Sequence, residues 1–297
     1  RGLGDVYKRQ GGGGGTYSIR AVDFSQNAHV DSISSELAYK ATSNSGLILG
    51  AGWVQQRRED ADNQTAPIGG ISGYVDINPS VRLKAGLSRK VKAPTLAQLY
   101  DSTRGNTALK MEEATTTEFG TVWKVDQNTV VDATLFRSAV KNFIQPNAAG
   151  QQENLARYRN TGLELLARST WANLDYGIGY TYMMGKDLSA NTDSNNLQYN
   201  PRQKITLDTL WRVTSLAALS TSAVHIRDQQ YYSRQAPILS ATLPAYTVIN
   251  TKFSYTLAGT ATQLYAGIDN LFDKLYSTSY SFPQAGRYFY AGVKFGF

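Results

Sequence analysis

This sequence predicts an all-β chain that crosses a membrane, a transmembrane antiparallel up-and-down β-barrel, and three observations carry that prediction. Apolar and polar residues alternate with a period of two in segment after segment. Long and short connections between those segments take turns. No run approaches the roughly 18 apolar residues of a spanning helix. The last segment shows the alternation plainly: in GRYFYAGVKFGF, Phe289, Ala291, Val293, Phe295 and Phe297 share one parity, and Tyr288, Tyr290, Gly292, Lys294 and Gly296 the other. Successive strand side chains point to opposite faces, so one environment is apolar and the other, holding Lys294, is wet.

Composition agrees. With 41% hydrophobic residues and a mean hydropathy of −0.35, the chain is too polar for a helical membrane bundle. The absence of Cys excludes a disulfide scaffold and thiolate metal sites. The opening RGLGDVYKRQGGGGG has neither strand nor helix periodicity, and DVYKRQ resembles a translated library-adapter end. Residues 1–15 are therefore expected to be non-native or doubtful, and 16–297 to be the barrel chain. Removing Arg1, Lys8, Arg9 and Asp5 lowers the formal charge from +7 to about +5, too small an excess to point to nucleic acid.

Taken in order, about fourteen segments alternate, separated by connections at 42–45 (short), 56–69 (long), 78–80 (short), 91–113 (long), 125–128 (short) and 140–159 (long). The rhythm continues through 169–171 (short), 184–202 (long), 213–215 (short), 228–244 (long), 257–260 (short) and 272–286 (long). In VRLKAGLSRK, Val81, Leu83, Ala85 and Leu87 oppose Arg82, Lys84, Ser88 and Lys90. WANLDYGIGYTY sets Leu174, Tyr176, Ile178, Tyr180 and Tyr182 against Asn173, Asp175, Gly177, Gly179 and Thr181. In QKITLDTLWR, Ile205, Leu207 and Trp211 oppose Lys204, Thr206, Asp208 and Arg212. A soluble β-sandwich shares such alternation, but only an outer-membrane barrel has reason to put tight turns at one end and long loops at the other. The apolar parity then faces lipid, Tyr288 and Phe297 lie near the membrane interfaces, and Lys204, Asp208, Arg212, Lys252 and Asp269 line the interior.

Residues 89–120 read RKVKAPTLAQLYDSTRGNTALKMEEATTTEFG. This stretch resembles the corresponding part of TonB-dependent outer-membrane receptors, through Lys92, Ala93, Pro94, Leu96, Leu99, Tyr100, Asn106, Leu109, Lys110, Glu112 or Glu113, and Glu118. YRNTGLELLAR at 158–168, DNLFDKLY at 269–276 (with Asn270, Leu271 and Phe272) and the terminal strand ending in Phe297 agree as well, over about 200 residues. The resemblance implies a barrel of about 22 strands with a plug domain in its lumen, of which this chain supplies a C-terminal part of about fourteen strands. It also implies a bacterial outer-membrane location, energy supplied by the TonB–ExbB–ExbD complex through an N-terminal part, and recognition of the C-terminal strand by the outer-membrane barrel assembly machinery.

Among such receptors the wording around 181–211 and 228–255 is most similar to those for ferric catecholate siderophores. Anionic aromatic ligands suit loops carrying Arg and Tyr, which makes Arg57, Arg58, Arg104, Tyr231, Tyr232 and Arg234 the candidate contacts. A haem or cobalamin receptor of the same family is the nearer alternative, and a passive diffusion porin the more distant one. Haem would call for a loop histidine, for which only His29 is placed. The chain is not expected to be an enzyme and needs no cofactor or metal: it holds two His, and HExxH and Gly-Lys-Ser/Thr signatures are absent. His225 reads as a solvated side chain pointing into the lumen near the outer rim, and Glu59–Asp62 as a mixed-charge loop tip beside Arg57 and Arg58.

Overall fold

The structure, a computed structural model, describes residues 26–147, 149–189, 197, 199–232 and 240–296. The expected non-native segment 1–15, Arg234 and Phe297 lie outside them. The strands are β1 (Ala28–Thr42), β2 (Ser45–Arg58), β3 (Gln64–Asn78), β4 (Val81–Lys92), β5 (Glu112–Lys124), β6 (Thr129–Pro146), β7 (Gln152–Trp171), β8 (Leu174–Asp187), β9 (Gln203–Arg212) and β10 (Ala217–Arg227). They continue as β11 (Gln229–Tyr232), β12 (Ser240–Leu243), β13 (Tyr246–Thr256), β14 (Gln263–Asp269), β15 (Ser277–Ser279), β16 (Phe282–Pro283) and β17 (Tyr288–Lys294), with one short helix, α1 (Leu96–Tyr100), between β4 and β5.

Thirteen strands form one sheet in the order β1 to β10, β13, β14, β17. Each is antiparallel to its neighbours, as an up-and-down barrel wall requires. The arc is open, with β1 and β17 at its two sides. The pairs β11–β12 and β15–β16 are small separate hairpins inside two of the long connections.

The tight turns are built by polar side chains that capture backbone N–H groups the ladder leaves over. Asn78 Oδ1 accepts from Ser80 N (2.8 Å) and Val81 N (2.9 Å). Asp126 Oδ1 accepts from Asn128 N (2.7 Å) and Thr129 N (2.8 Å), and Thr214 Oγ1 from Leu216 N (3.2 Å) and Ala217 N (3.0 Å). Gly259, at φ 72°, supplies the left-handed residue of the turn after β13. These turns share one end of the sheet: Ala218 pairs with Arg212, Ala217 with Tyr255, and Gln263 with Lys294. Gly296 N donates to Ala261 O at 3.1 Å, so the chain closes at that end too. Tyr182, Gln203 and Arg227 lie at the opposite end, where the long connections emerge.

Register decides which side chains share a face, because directly paired residues point the same way. Lys204 pairs with Ile226, Asp208 with Ser222, Lys252 with Ser220 and with Gly267, and Asp269 with Tyr288. The expected interior residues therefore do share the inner face. Three ion pairs form there: Arg82 with Asp76 (2.6 Å), Lys84 with Asp132 (2.6 Å), and Arg212 with Asp175. All four tryptophans lie on the other face, Trp53, Trp123, Trp171 and Trp211, at 57%, 48%, 74% and 46% exposure. The last three stand next to tight turns, the level at which indole rings settle between hydrocarbon and headgroups.

Three expectations change. His225 pairs with Ile205 and Thr247 and so shares the outward face, its Nδ1 2.9 Å from Thr247 Oγ1. The polar residues Thr221 and Arg227 on its parity suggested the lumen, but the strand partners override that reading. His29 is not in a loop: it lies in β1, paired with Arg57. The long connections are also shorter than the alternation suggests, since β6 and β7 pair as far as Pro146 and Gln152, leaving 147–151. Above the membrane either face of a strand meets water, so pairing continues without the period that reveals it, helped here by the irregularity between Val140 and Phe143.

Ile178, exposed in the middle of β8, points outward, whereas Thr181 on the same strand points inward. Ile178→Arg is expected to destabilise the intact protein in phospholipid bilayers by about 2–4 kcal/mol, with Thr181→Arg costing far less. Urea midpoints measure the difference, and equal losses would reverse the assignment of faces.

Candidate functional site

The loop end of the wall is organised by two clusters. The first is the connection from β4 to β5. Pro94 sets an extended entry, and Thr95 caps α1: Gln98 N donates to Thr95 Oγ1 (3.3 Å) while Thr95 N donates to Gln98 Oε1 (3.0 Å). Leu99 and Leu109 then bury together with Ile144, with Tyr100 packed against them. Side-chain amides pin the backbone of this loop to the sheet. Gln56 Nε2 donates to Pro94 O (2.9 Å), and Gln64 donates to Leu109 O (2.7 Å) and accepts from Met111 N (3.2 Å). Asn154 accepts from Lys110 N (2.7 Å) and donates to Lys110 O (2.9 Å), holding that peptide as a neighbouring strand would. Gln56 and Gln64 pair across β2 and β3 on the inner parity, so the loop folds inward over the mouth.

The rest of the Lys92–Lys110 motif serves the same purpose. Lys92 meets Glu112 at 3.3 Å, and Glu112 accepts from Ile144 N at 3.0 Å. Asn106 Nδ2 donates to Gln152 O (2.8 Å), and Ala93 and Pro94 are partly and fully buried. Tyr100 Oη donates to Asp60 (2.5 Å); burial first, and then that carboxylate, pushes its phenol above the usual range. Asp101 is held below the ordinary carboxylate value, mainly by the hydrogen bond it accepts from Thr103 N (2.9 Å).

The second cluster joins three connections. Tyr231 of β11 stacks on Tyr280, at 4.5 Å between centroids and 7° between planes, and Tyr199 leans on Tyr231 at 5.8 Å. Gln229 Nε2 donates to Thr278 O (2.8 Å), Tyr199 N donates to Gln230 O (2.8 Å), and Tyr246 packs on Tyr276 at 4.5 Å. Beneath them, the DNLFDKLY stretch forms a compact corner. Asn270 (φ 52°) accepts from Lys274 N (2.8 Å) and donates to Lys274 O (3.0 Å), and Leu271 N donates to Ile249 O (2.7 Å). Phe272 stands 71% exposed.

The candidate contacts do not converge on one point. Arg57 faces outward and is engaged by Asp31 at 2.6 Å. Arg58 donates to Thr107 O (2.8 Å) within the first cluster, and Arg104 lies exposed on the same loop. Tyr231 belongs to the second cluster, and Tyr232 follows it in β11. Tyr199 and Tyr280, the partners of Tyr231, were not singled out from the sequence; their only signal was a place in the long connections 184–202 and 272–286. Among the described residues no group of three or more His, Cys, Asp or Glu is placed to hold a metal ion.

Residues 2–271 match the family described as TonB dependent receptor-like, beta-barrel. The chain is 24% identical over 298 residues to the vitamin B12 transporter BtuB of Vibrio cholerae serotype O1, covering 93% of this chain and 46% of that protein. It is 27% identical over 213 residues to the catecholate siderophore receptor Fiu of Escherichia coli K12, covering 68% and 28%. A solved variant of the ferric enterobactin receptor PfeA from Pseudomonas aeruginosa superposes with a TM-score of 0.70 at 23% identity, over 90% of this chain and 44% of that one, a likeness of fold. The chain thus spans less than half the length of the relatives it matches.

The pinning of the first loop is testable with trypsin, which cuts after Arg104 and Lys110. Asn154→Ala removes three bonds to Lys110 and Asn142, each worth about 0.5–1.5 kcal/mol. Cleavage at Lys110 is expected to rise at least tenfold with the barrel still assembled; an unchanged rate would mean that the amide does not hold the loop.

Proposed function

Because the chain belongs to the TonB-dependent receptor β-barrel family, whose members are transport receptors of the Gram-negative outer membrane, we propose that it serves in the capture and energy-coupled uptake of a ferric siderophore, of the catecholate type. The observation that carries the ligand class is the tyrosine stack of Tyr199, Tyr231 and Tyr280, three rings from three separate connections at the loop end. Such a surface suits flat aromatic groups, and Arg58, Arg104, Tyr232 and Arg234 add cationic and hydrogen-bonding groups for an anionic complex. The likeness to Fiu supports the same choice. In this reading iron is cargo carried by its chelator, so the protein needs no metal ligands of its own. Coupling to TonB–ExbB–ExbD, a plug in the lumen and insertion by the barrel assembly machinery belong to the same proposal and rest on family membership.

A second reading, cobalamin, is favoured by the match to BtuB along 93% of the chain. Haem loses its structural argument, since His29 and His225 both share the outward face. Family membership likewise displaces the passive porin.

Equilibrium binding to cells expressing the intact receptor separates the readings. Ferric enterobactin-like catecholate is expected to bind, and replacing Tyr199, Tyr231 and Tyr280 by Ala to weaken it at least tenfold, at roughly 0.5–1.5 kcal/mol per aromatic contact. Adding Arg58→Ala, Arg104→Ala and Arg234→Ala should weaken it further, whereas Arg57→Ala, which breaks only the pair with Asp31, should not. Unchanged affinity in the tyrosine variant would remove the stack from capture. Cobalamin binding without catecholate binding would replace the ligand assignment.

A further inference from the structure

The outward face changes character at the loop end of β4 to β8. Phe119, Leu135, Leu163 and Tyr182 form one row across four strands. Two residues higher on the same parity Arg137 appears, and above it a row runs from Arg89 through Thr115 and Ala139 to Arg159 and Lys186. Lys141 stands higher still, paired with Glu113. With Arg157, two residues beyond Arg159 on β7, that outward stretch holds six cations and one carboxylate among the described residues, and Glu113 is taken by Arg89 at 2.9 Å.

The other five cations have no ion-pair partner among the described residues, and Arg159 Nε is buried with no acceptor. On the inner face Arg82, Lys84 and Arg212 each have a carboxylate, and Lys90, Arg168, Lys204 and Lys252 have no ion pair among the described residues but face the aqueous interior rather than lipid. Outward cations left without counter-charges point to an anion supplied from outside the chain. Their height identifies its source. Arg89 and Arg137 stand about eight residues from their turns and Arg159 and Lys186 about twelve, against roughly 9–11 residues for a membrane-spanning strand. Arg89 and Arg137 thus stand just inside the outer hydrocarbon edge, from which a long side chain reaches the headgroups, and Arg159 and Lys186 stand beyond it, where a charge costs little.

We propose that the outward face of β4 to β8 is a binding surface for a phosphate-bearing lipid of the outer leaflet. Its acyl chains lie on the Phe119–Leu135–Leu163–Tyr182 row, and its headgroup phosphates are held by Arg137, Lys141, Arg159 and Lys186. The continuity of the apolar row with the basic one selects a lipid over a soluble anion, because both parts of an amphiphile are matched. The inference rests on the membrane orientation and is independent of the siderophore reading.

The test uses the intact receptor in neutral detergent, titrated with diphosphorylated lipid A and, separately, with its dephosphorylated form. Lipid A is expected to bind, and the dephosphorylated form to bind at least tenfold more weakly. Changing Arg137, Lys141, Arg159 and Lys186 together to Gln should weaken lipid A binding at least tenfold. An equal loss of charge on the inner face, with Lys90, Arg168, Lys204 and Lys252 changed to Gln, should leave it within about twofold. Arg137→Lys with Arg159→Lys keeps the charge and should retain binding, which guards against a folding defect in the Gln variant. Equal losses from the outer and inner sets, or competition by inorganic phosphate at the lipid's own concentration, would overturn the proposal.

Discussion

A chain in hydrocarbon has no water to satisfy its N–H and C=O groups, and each group left unpaired there costs several kcal/mol. Everything else in this wall follows from that constraint. The antiparallel ladder that meets it forces side chains to alternate between two faces, and the membrane gives those faces opposite solvents. Ile178, Leu207 and Phe253 belong outside for this reason, and Asp208, Lys252 and Asp269 inside. The ladder also spends the strands' own donors and acceptors on one another, so the tight turns must find partners elsewhere. Asn78, Asp126 and Thr214 supply them.

Where the strands leave the membrane the constraint relaxes, and side chains take over the organisation. Gln56, Gln64 and Asn154 act as single-residue extensions of the ladder, binding loop peptides as strands would and folding the β4–β5 connection over the mouth. This gives the Lys92–Lys110 motif a physical meaning: its residues cap, bury and pin a loop. Asn270 does the same for the corner before β15. At the same rim the stack of Tyr199, Tyr231 and Tyr280 ties three further connections together.

The membrane-spanning part was legible in the sequence because two solvents write a period of two into it. The turns at 125–128 and 78–80 fall where alternation breaks, and the interior set from Lys204 to Asp269 sits on one face as its parity requires. Single polar residues were less readable. His225 and His29 lie near the loop end, where an outward side chain no longer has to be apolar, so polarity stopped reporting direction and only the partners Ile205 and Arg57 reveal it. The tyrosine stack was hidden for another reason: its members are far apart in the chain and meet only because three connections share a rim. The roles of Gln56 and Asn154 were equally invisible, since one amide looks like any other until its partner is known.

The central claim is that the two parities of each strand face lipid and lumen. The chain has no Cys, so single cysteines can be placed along β13 of the intact receptor, with any Cys outside this chain replaced by Ser, and labelled with an environment-sensitive fluorophore. In bilayers carrying brominated acyl chains, labels at Ile249, Thr251 and Phe253 should be quenched, and those at Asn250, Lys252 and Ser254 should not. Quenching that ignores parity, or follows the even positions, would contradict the account.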